Sequence, residues 1–264
     1  MKTTLFAVTV AALSAVCSLC AAEEIVTVPT RDGVTQSFLL AAPADAKPAA
    51  VAVLFPGGWG SIRLRMEGGR IKLGEGNFLV RSRKLFVDGG VAAAVMDAPS
   101  DEAQGMDDRF RLGDKHAADI AAVVAELKQR FDNAPVFLVG TSRGTISAAA
   151  AGRALGNSIA GVVLTSTMFV AARSGQGLSG FDFTTVRAPV LFAHHANDGC
   201  NVTPYRSAKA LAGQFPLITV HGGDPPRSDP CEAFSYHGYL GKEPETVEAI
   251  VNWMQKKPYR SNID

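Results

Sequence analysis

The pentapeptide Gly140-Thr141-Ser142-Arg143-Gly144 is where the sequence first offers chemistry. It follows a short apolar run, 136–139, that suits a buried strand, and it opens a segment that suits a helix. A strand-to-helix turn this tight admits only small residues two places either side of the serine, and the two glycines meet that demand. The hydroxyl then stands clear of the sheet above the start of the helix. There the helix dipole and backbone N–H groups favour developing negative charge. Ser142 is therefore the candidate nucleophile. The glycine–serine spacing alone carries little weight; the strand before it and the helix after it give it meaning.

A serine hydroxyl attacks poorly until a base removes its proton. Five histidines could supply that base: His116, His194, His195, His221 and His237. His116 opens a long predicted helix and is expected at the surface. His194 and His195 end a predicted strand and are expected to be structural. His221 directly follows the last predicted strand, whereas His237 lies in the long loop beyond it and has the reach to arrive over Ser142. His237 is the preferred base and His221 the alternative. The carboxylate that orients such a base is best supplied by Asp198, in a loop directly after a strand. Asp224 and Asp229, in the histidine's own loop, and Asp97, at the end of an earlier strand, are lesser candidates.

These side chains need a frame. The chain has 264 residues, 47% hydrophobic and 19% charged, a globular balance. Predicted strands at 25–28 and 35–40 form a hairpin around Thr30-Arg31-Asp32-Gly33, and 41–48 reads as a loop. Strand 51–55, closed by Pro56-Gly57-Gly58, reads as buried on both faces. Residues 60–76 read as irregular, 77–88 as a helix, 91–96 as a strand and 98–113 as a polar loop. The helix at 114–131 has Ile120, Val123, Val124, Leu127 and Phe131 on one face. Beyond the helix starting at Arg143 come strands 159–165, 190–193 and 217–220, a helix at 204–213 and a final helix near Pro244. Alternation of this kind predicts one α/β domain over 23–264, a mostly parallel sheet with helices on both faces and an N-terminal antiparallel hairpin.

Residues 1–22 read as a secretory signal peptide: Lys2, an apolar stretch at 5–19, then Cys20-Ala21-Ala22 before Glu23. Cleavage after Ala22 would leave no membrane span and put the protein in the periplasm or outside the cell. Without Lys2 the remaining charges balance, so neither nucleic acid nor an anionic membrane is expected as a partner. Cys17 and Cys20 leave with the leader. Cys200 and Cys231 remain, and in an exported chain they are expected to form a disulfide tying the loop of Asp198 to that of His237.

The chain order Ser142, Asp198, His237 resembles the α/β-hydrolase superfamily, in its lidless dienelactone hydrolase-like and prolyl-oligopeptidase-like branch. The resemblance rests on Gly140–Gly144, His194-His195-Ala196-Asn197-Asp198, His237-Gly238-Tyr239 and Phe55-Pro56-Gly57-Gly58-Trp59, and covers about residues 25–257. It implies a serine hydrolase in which Ser142, His237 and Asp198 act as a triad, with no cofactor. It also implies an oxyanion hole made by the backbone N–H of Arg143 and that of Gly58 or Trp59. Many relatives have His-Gly where this chain has Pro56-Gly57, which leaves both turn residues in play. Relatives with a helical lid insert it between strands equivalent to 159–165 and 190–193, where this chain has about two dozen residues. The resemblance therefore implies a small or medium soluble ester as substrate. A peptidase, amidase or acyltransferase with the same triad, or a binding protein on this fold, are the alternatives. The oligomeric state is left open.

Charge is unevenly spread. Arg63, Arg65, Arg70, Lys72, Arg81, Arg83 and Lys84 crowd one segment against Glu67 and Glu75, and Asp97, Asp101, Glu102, Asp107 and Asp108 follow. The plain reading is solvated faces that pair with each other. The sharper one is an arginine-lined mouth selecting an acidic substrate. No His or Cys joins the acids at ligand spacing, so no metal is expected.

Overall fold

The computed structural model describes residues 22–44, 46–173 and 175–264; the expected leader lies outside them but for Ala22. In chain order the elements are β1 (Ala22–Arg31), β2 (Val34–Ala42), β3 (Ala50–Phe55), β4 (Arg65–Glu67), β5 (Arg70–Lys72), α1 (Phe78–Arg81), α2 (Arg83–Asp88), β6 (Val91–Met96), α3 (Asp108–Leu112), α4 (Asp114–Arg130), β7 (Val136–Thr141), α5 (Gly144–Leu155), β8 (Gly161–Thr165), β9 (Val190–His195), α6 (Tyr205–Leu211), β10 (Leu217–Val220), α7 (Glu243–Met254) and β11 (Asn262–Ile263). Among the described residues, nine strands make one sheet in the order β1-β2-β6-β3-β7-β8-β9-β10-β11. β1 pairs antiparallel with β2, and β2 with β6; every later pairing is parallel.

The continuous apolar strands are explained by burial on both faces, since successive side chains point to opposite sides. Val51, Val53 and Phe55 of β3 pack with Ile120, Val123 and Leu127 of α4 and Ile146 of α5. Ala52 and Leu54 pack on the other side with Phe78, Leu79, Phe86, Val247 and Ile250. After β3 the chain crosses to β6 on one side; from β6 it crosses back to β7 on the other. The crevice beyond the carboxyl ends of β3 and β7 is thus the topological switch point, where open α/β sheets bind ligands. Ser142 follows β7 and Gly58 follows β3, so the order of strands alone brings them together. No lid is built between β8 and β9, where the described residues are loop and one 3₁₀ turn at Phe183–Thr185.

Several boundaries differ from the expectation. β2 continues through Ala42 because Leu39, Leu40 and Ala41 pair with β6, a partner that local sequence does not reveal. The helix expected at 77–88 is two short helices broken at Ser82, which has φ −93° and ψ 2°. The segment read as irregular contains the β4–β5 hairpin, turned by Gly68 and Gly69 at φ +57° and +73°, the positive angles that a two-residue hairpin turn needs. The polar loop at 98–113 contains α3, capped by the Asp107 carboxylate accepting the Phe110 N–H at 2.7 Å. No helix of the described residues is long and apolar enough to cross a membrane.

Cys200 and Cys231 are joined in a disulfide across 31 positions, as expected. Closing a loop of this length restricts the unfolded chain and is worth about 3–4 kcal/mol. The double variant Cys200→Ala/Cys231→Ala is expected to lose that amount in a urea titration of the oxidised protein; an unchanged midpoint would contradict it.

Candidate active site

The turn at Ser142 is held by close backbone approach. A Cβ on Gly144 would stand 2.0 Å from the Phe55 carbonyl oxygen, and one on Gly140 would stand 2.4 Å from the Gly144 oxygen. A side chain at Gly140 would push α5 away from the end of β7, and one at Gly144 would push α5 away from β3. Between them Ser142 takes φ +52°, a left-handed conformation that costs a non-glycine residue about 1–3 kcal/mol. The Ser142 N–H donates to the Thr165 carbonyl at 3.1 Å, and the Ser142 carbonyl accepts from the Thr145 N–H at 2.9 Å. The strain is therefore fixed by β8 on one side and the first turn of α5 on the other.

His237 reaches the same place from the loop after β10. Its Nδ1–H donates to Asp198 Oδ2 at 3.0 Å, and the Asp198 side chain is fully buried. Asp198 also accepts from the Cys200 N–H at 2.9 Å and from the Thr203 hydroxyl at 2.9 Å. This donor set orients the carboxylate, and with Nδ1–H donating to it the imidazole has its Nε2 lone pair outward. Nε2 is buried and makes no hydrogen bond among the described residues, the Ser142 hydroxyl included. Catalytic hydrogen bonds of this kind are often long before substrate arrives. His237 is also held from behind. Ser166 Oγ donates to the His237 carbonyl at 2.7 Å, and the buried Tyr239 hydroxyl donates to the Ala193 carbonyl at 2.6 Å.

Ser142 and His237 line one cavity of about 690 Å³, together with Gly57, Gly58, Arg143 and both disulfide cysteines. Its apolar wall is Phe78, Met168, Val202 and Phe234. Gly57 lies tightest against the serine: a Cβ there would be 3.0 Å from Ser142 Cβ. Gly58 lines the cavity and Trp59 does not; the Trp59 ring stacks on the Arg143 guanidinium at 4.6 Å and is 56% exposed. Of the two turn residues expected at the oxyanion hole, Gly58 is the one the geometry favours. Arg143 is the N-cap of α5, so its backbone N–H stands at the positive end of that helix. Its guanidinium pairs with Asp108 (Nε to Oδ1, 2.9 Å).

The other candidates have other tasks. His221 is exposed, and its backbone N–H donates to Ile263 of β11. Asp224 and Asp229 are exposed. Asp97 accepts the N–H groups of Ile62, Leu64 and Ala98 at 2.7–2.9 Å, pinning the segment before β4. His116 is the clear correction: it is 1% exposed, not at the surface, because α3 and Phe110 cover the start of α4. Its Nε2 bonds the Ser147 hydroxyl at 2.9 Å. The basic cluster also resolves. Arg81 pairs with Glu243 and Arg83 with Glu23, while Arg63, Arg65, Arg70 and Lys72 are exposed on or beside the β4–β5 hairpin. None of the seven lines the cavity. Sequence reasoning missed Thr203 and Ser166, small polar residues with no local signal. Among the described residues no group of three or more His, Cys, Asp or Glu is arranged to hold a metal ion.

Burial pushes His116 and His194 down to about 3, with the Arg111 charge adding to the effect at His116. His195, buried and stacked on Tyr236, is lowered in the same direction by its burial. His116 and His194 are neutral when folded, whereas in the unfolded chain they take up a proton below about 6.5. The unfolded state then binds more protons, so stability is complete above that pH and falls as pH drops toward 3. Between pH 7 and pH 5 each fully buried histidine is expected to cost about 2 kcal/mol. Urea midpoints at the two pH values measure this, and His194→Gln should remove its share of the difference. An equal loss in the variant would contradict the reading.

Residues 100–193 match the family described as serine aminopeptidase, S33. No curated protein sequence matches the chain. Among solved structures, Est1E from Butyrivibrio proteoclasticus superposes with a TM-score of 0.60 at 16% identity, over 88% of this chain and 98% of that one. A cold-adapted esterase from an Arctic intertidal metagenomic library gives 0.59 at 18% identity, over 89% and 93% of the two chains. A serine hydrolase without a lid from Xanthomonas campestris gives 0.54 at 16% identity, over 89% and 92%. At such identities the likeness is one of fold. The chain therefore has the α/β-hydrolase fold, the fold it shares with the lidless structure from Xanthomonas campestris.

Proposed function

We propose that the protein is an exported serine hydrolase that cleaves a carboxylic ester of small or medium size. The observation that carries this is one cavity holding Ser142 at φ +52° and the His237 ring, backed at 3.0 Å by a fully buried Asp198. Ser142 Oγ attacks the ester carbonyl carbon while His237 Nε2 takes its proton. Asp198 stabilises the imidazolium that forms. The backbone N–H groups of Gly58 and Arg143 receive the oxyanion, a contribution of roughly 3–4 kcal/mol for a well-placed donor. His237 returns the proton to the leaving alcohol. It then activates a water that releases the acid from Ser142.

The cavity volume and apolar wall suit an acyl group of modest length, and the absence of a lid gives a long chain nothing to lie against. The disulfide fits an oxidising compartment, which supports export. A second reading has its own observation: Glu232 lines the cavity and could pair with a substrate ammonium, as an aminopeptidase would require.

With p-nitrophenyl esters, turnover is expected to favour butyrate over palmitate. Ser142→Ala should lower kcat by about 10⁴-fold or more. Thr203→Val removes one hydrogen bond from Asp198 and should lower kcat about fivefold with little change in KM. Turnover surviving in Ser142→Ala would contradict the proposal. Serine-dependent hydrolysis of aminoacyl p-nitroanilides without ester turnover would favour the aminopeptidase reading. Protein exported by its own host should begin at Glu23; an intact N-terminus would contradict export.

A further inference from the structure

The oxyanion turn, Gly57-Gly58-Trp59-Gly60, contains three glycines and would be loose if left to itself. Yet each of its first three carbonyls is held. Gly57 O accepts from the Gly60 N–H at 3.2 Å, and Trp59 O accepts from the Met106 N–H at 2.8 Å. Gly58 O accepts from Arg111 Nη2 at 3.2 Å, the one contact of the three made by a side chain. Peptide planes are rigid, so fixing these oxygens fixes the direction of each N–H on the opposite side. The Gly58 N–H, the donor favoured above, lies in the first of these planes; the second, whose oxygen Arg111 holds, adjoins it at the Gly58 Cα.

Arg111 reaches further. Its Nη1 donates to the Ser147 hydroxyl at 2.8 Å, and Ser147 lies on α5, the helix that begins behind the nucleophile. One guanidinium thus ties the Gly58 carbonyl to the nucleophile's helix. Gly60 leaves it room: a Cβ there would stand 2.5 Å from Arg111 Nη2. On the same short helix as Arg111, Asp108 grips the Arg143 side chain, so α3 touches both residues of the oxyanion pair.

We propose that Arg111 is a positioning residue that fixes the Gly58–Trp59 peptide plane, and through the Gly58 Cα that joins it to the preceding plane sets how the turn's N–H groups face Ser142 and the Arg143 N–H. Packing alone does not account for it. Arg111 is 1% exposed, makes no ion pair among the described residues, and leaves Nε without a partner. Burying a cation without a direct ion pair is costly, and an apolar residue of similar volume would serve a purely structural site better. Burial lowers the guanidinium to about 9, still charged at neutral pH. Lysine cannot replace it, since one ammonium does not span both acceptors in the fixed fork that the guanidinium provides.

The inference rests on the ester-hydrolase reading, and the test keeps the two apart. Kinetics with p-nitrophenyl butyrate and inhibition by an alkyl boronic acid, which fills the oxyanion hole as a tetrahedral adduct, are compared in the unaltered protein, Arg111→Met, Arg111→Lys and Ser147→Ala, with Tm for each. Arg111→Met is expected to lower kcat about 100-fold with KM within about threefold, and to weaken the boronate by a similar factor. Arg111→Lys should recover only part of the loss. Should Arg111→Met fail to fold, Ser147→Ala decides: it cuts the tie at its α5 end and should lower kcat about fivefold at unchanged KM. Wild-type kcat and boronate affinity in the folded variants would overturn the inference alone. Absence of turnover in the unaltered protein would overturn the ester reading and this inference with it.

Discussion

The site depends on one steric fact: at Gly144 the helix after the nucleophile runs so close to the end of β3 that no Cβ fits against the Phe55 oxygen. That contact sets β7, α5 and β3 in register and brings the serine turn within reach of the glycine turn. Ser142 accepts a left-handed backbone as the consequence. The strain persists because Thr165 and Thr145 hold the residue's own N–H and carbonyl. A serine held this way has few backbone conformations to lose.

His237 arrives by a different route. His237 is far along the chain, in a loop that without anchors would be mobile. Four anchors hold it: the Cys200–Cys231 bond, the Ser166 hydroxyl on the His237 carbonyl, the Tyr239 hydroxyl on Ala193, and the close seat of Gly238 against Ala233. Cys200 links both halves of the arrangement, because its N–H also bonds Asp198. The carboxylate and the imidazole are therefore placed relative to each other before any substrate binds.

Much of this was legible in the sequence, where local pattern and chemistry coincide. The buried strands announce themselves as apolar runs, and the glycines around Ser142 encode a close approach that only glycine permits. Chain order and reach were enough to favour Asp198 and His237 over their rivals. What escaped were features whose meaning depends on tertiary neighbours. β4 and β5 are three residues each, exposed but for Ile71, too short to show a period. His116 sits where a helix start is usually solvated, and only the packing of α3 buries it. A fully buried arginine runs against the general placement of that residue, so nothing about Arg111 in the sequence marks it. Thr203 and Ser166 carry no signature, since a hydroxyl takes its task from whichever groups surround it.

Covalent trapping tests the central assignment most directly. The protein is treated with an alkyl fluorophosphonate, digested, and the adduct mapped by mass spectrometry, alongside His237→Ala. A single adduct on Ser142, formed rapidly in the parent and slowly in the variant, is the predicted result. An adduct on another residue, or none at all in the folded protein, would contradict the assignment of Ser142 as a nucleophile activated by His237.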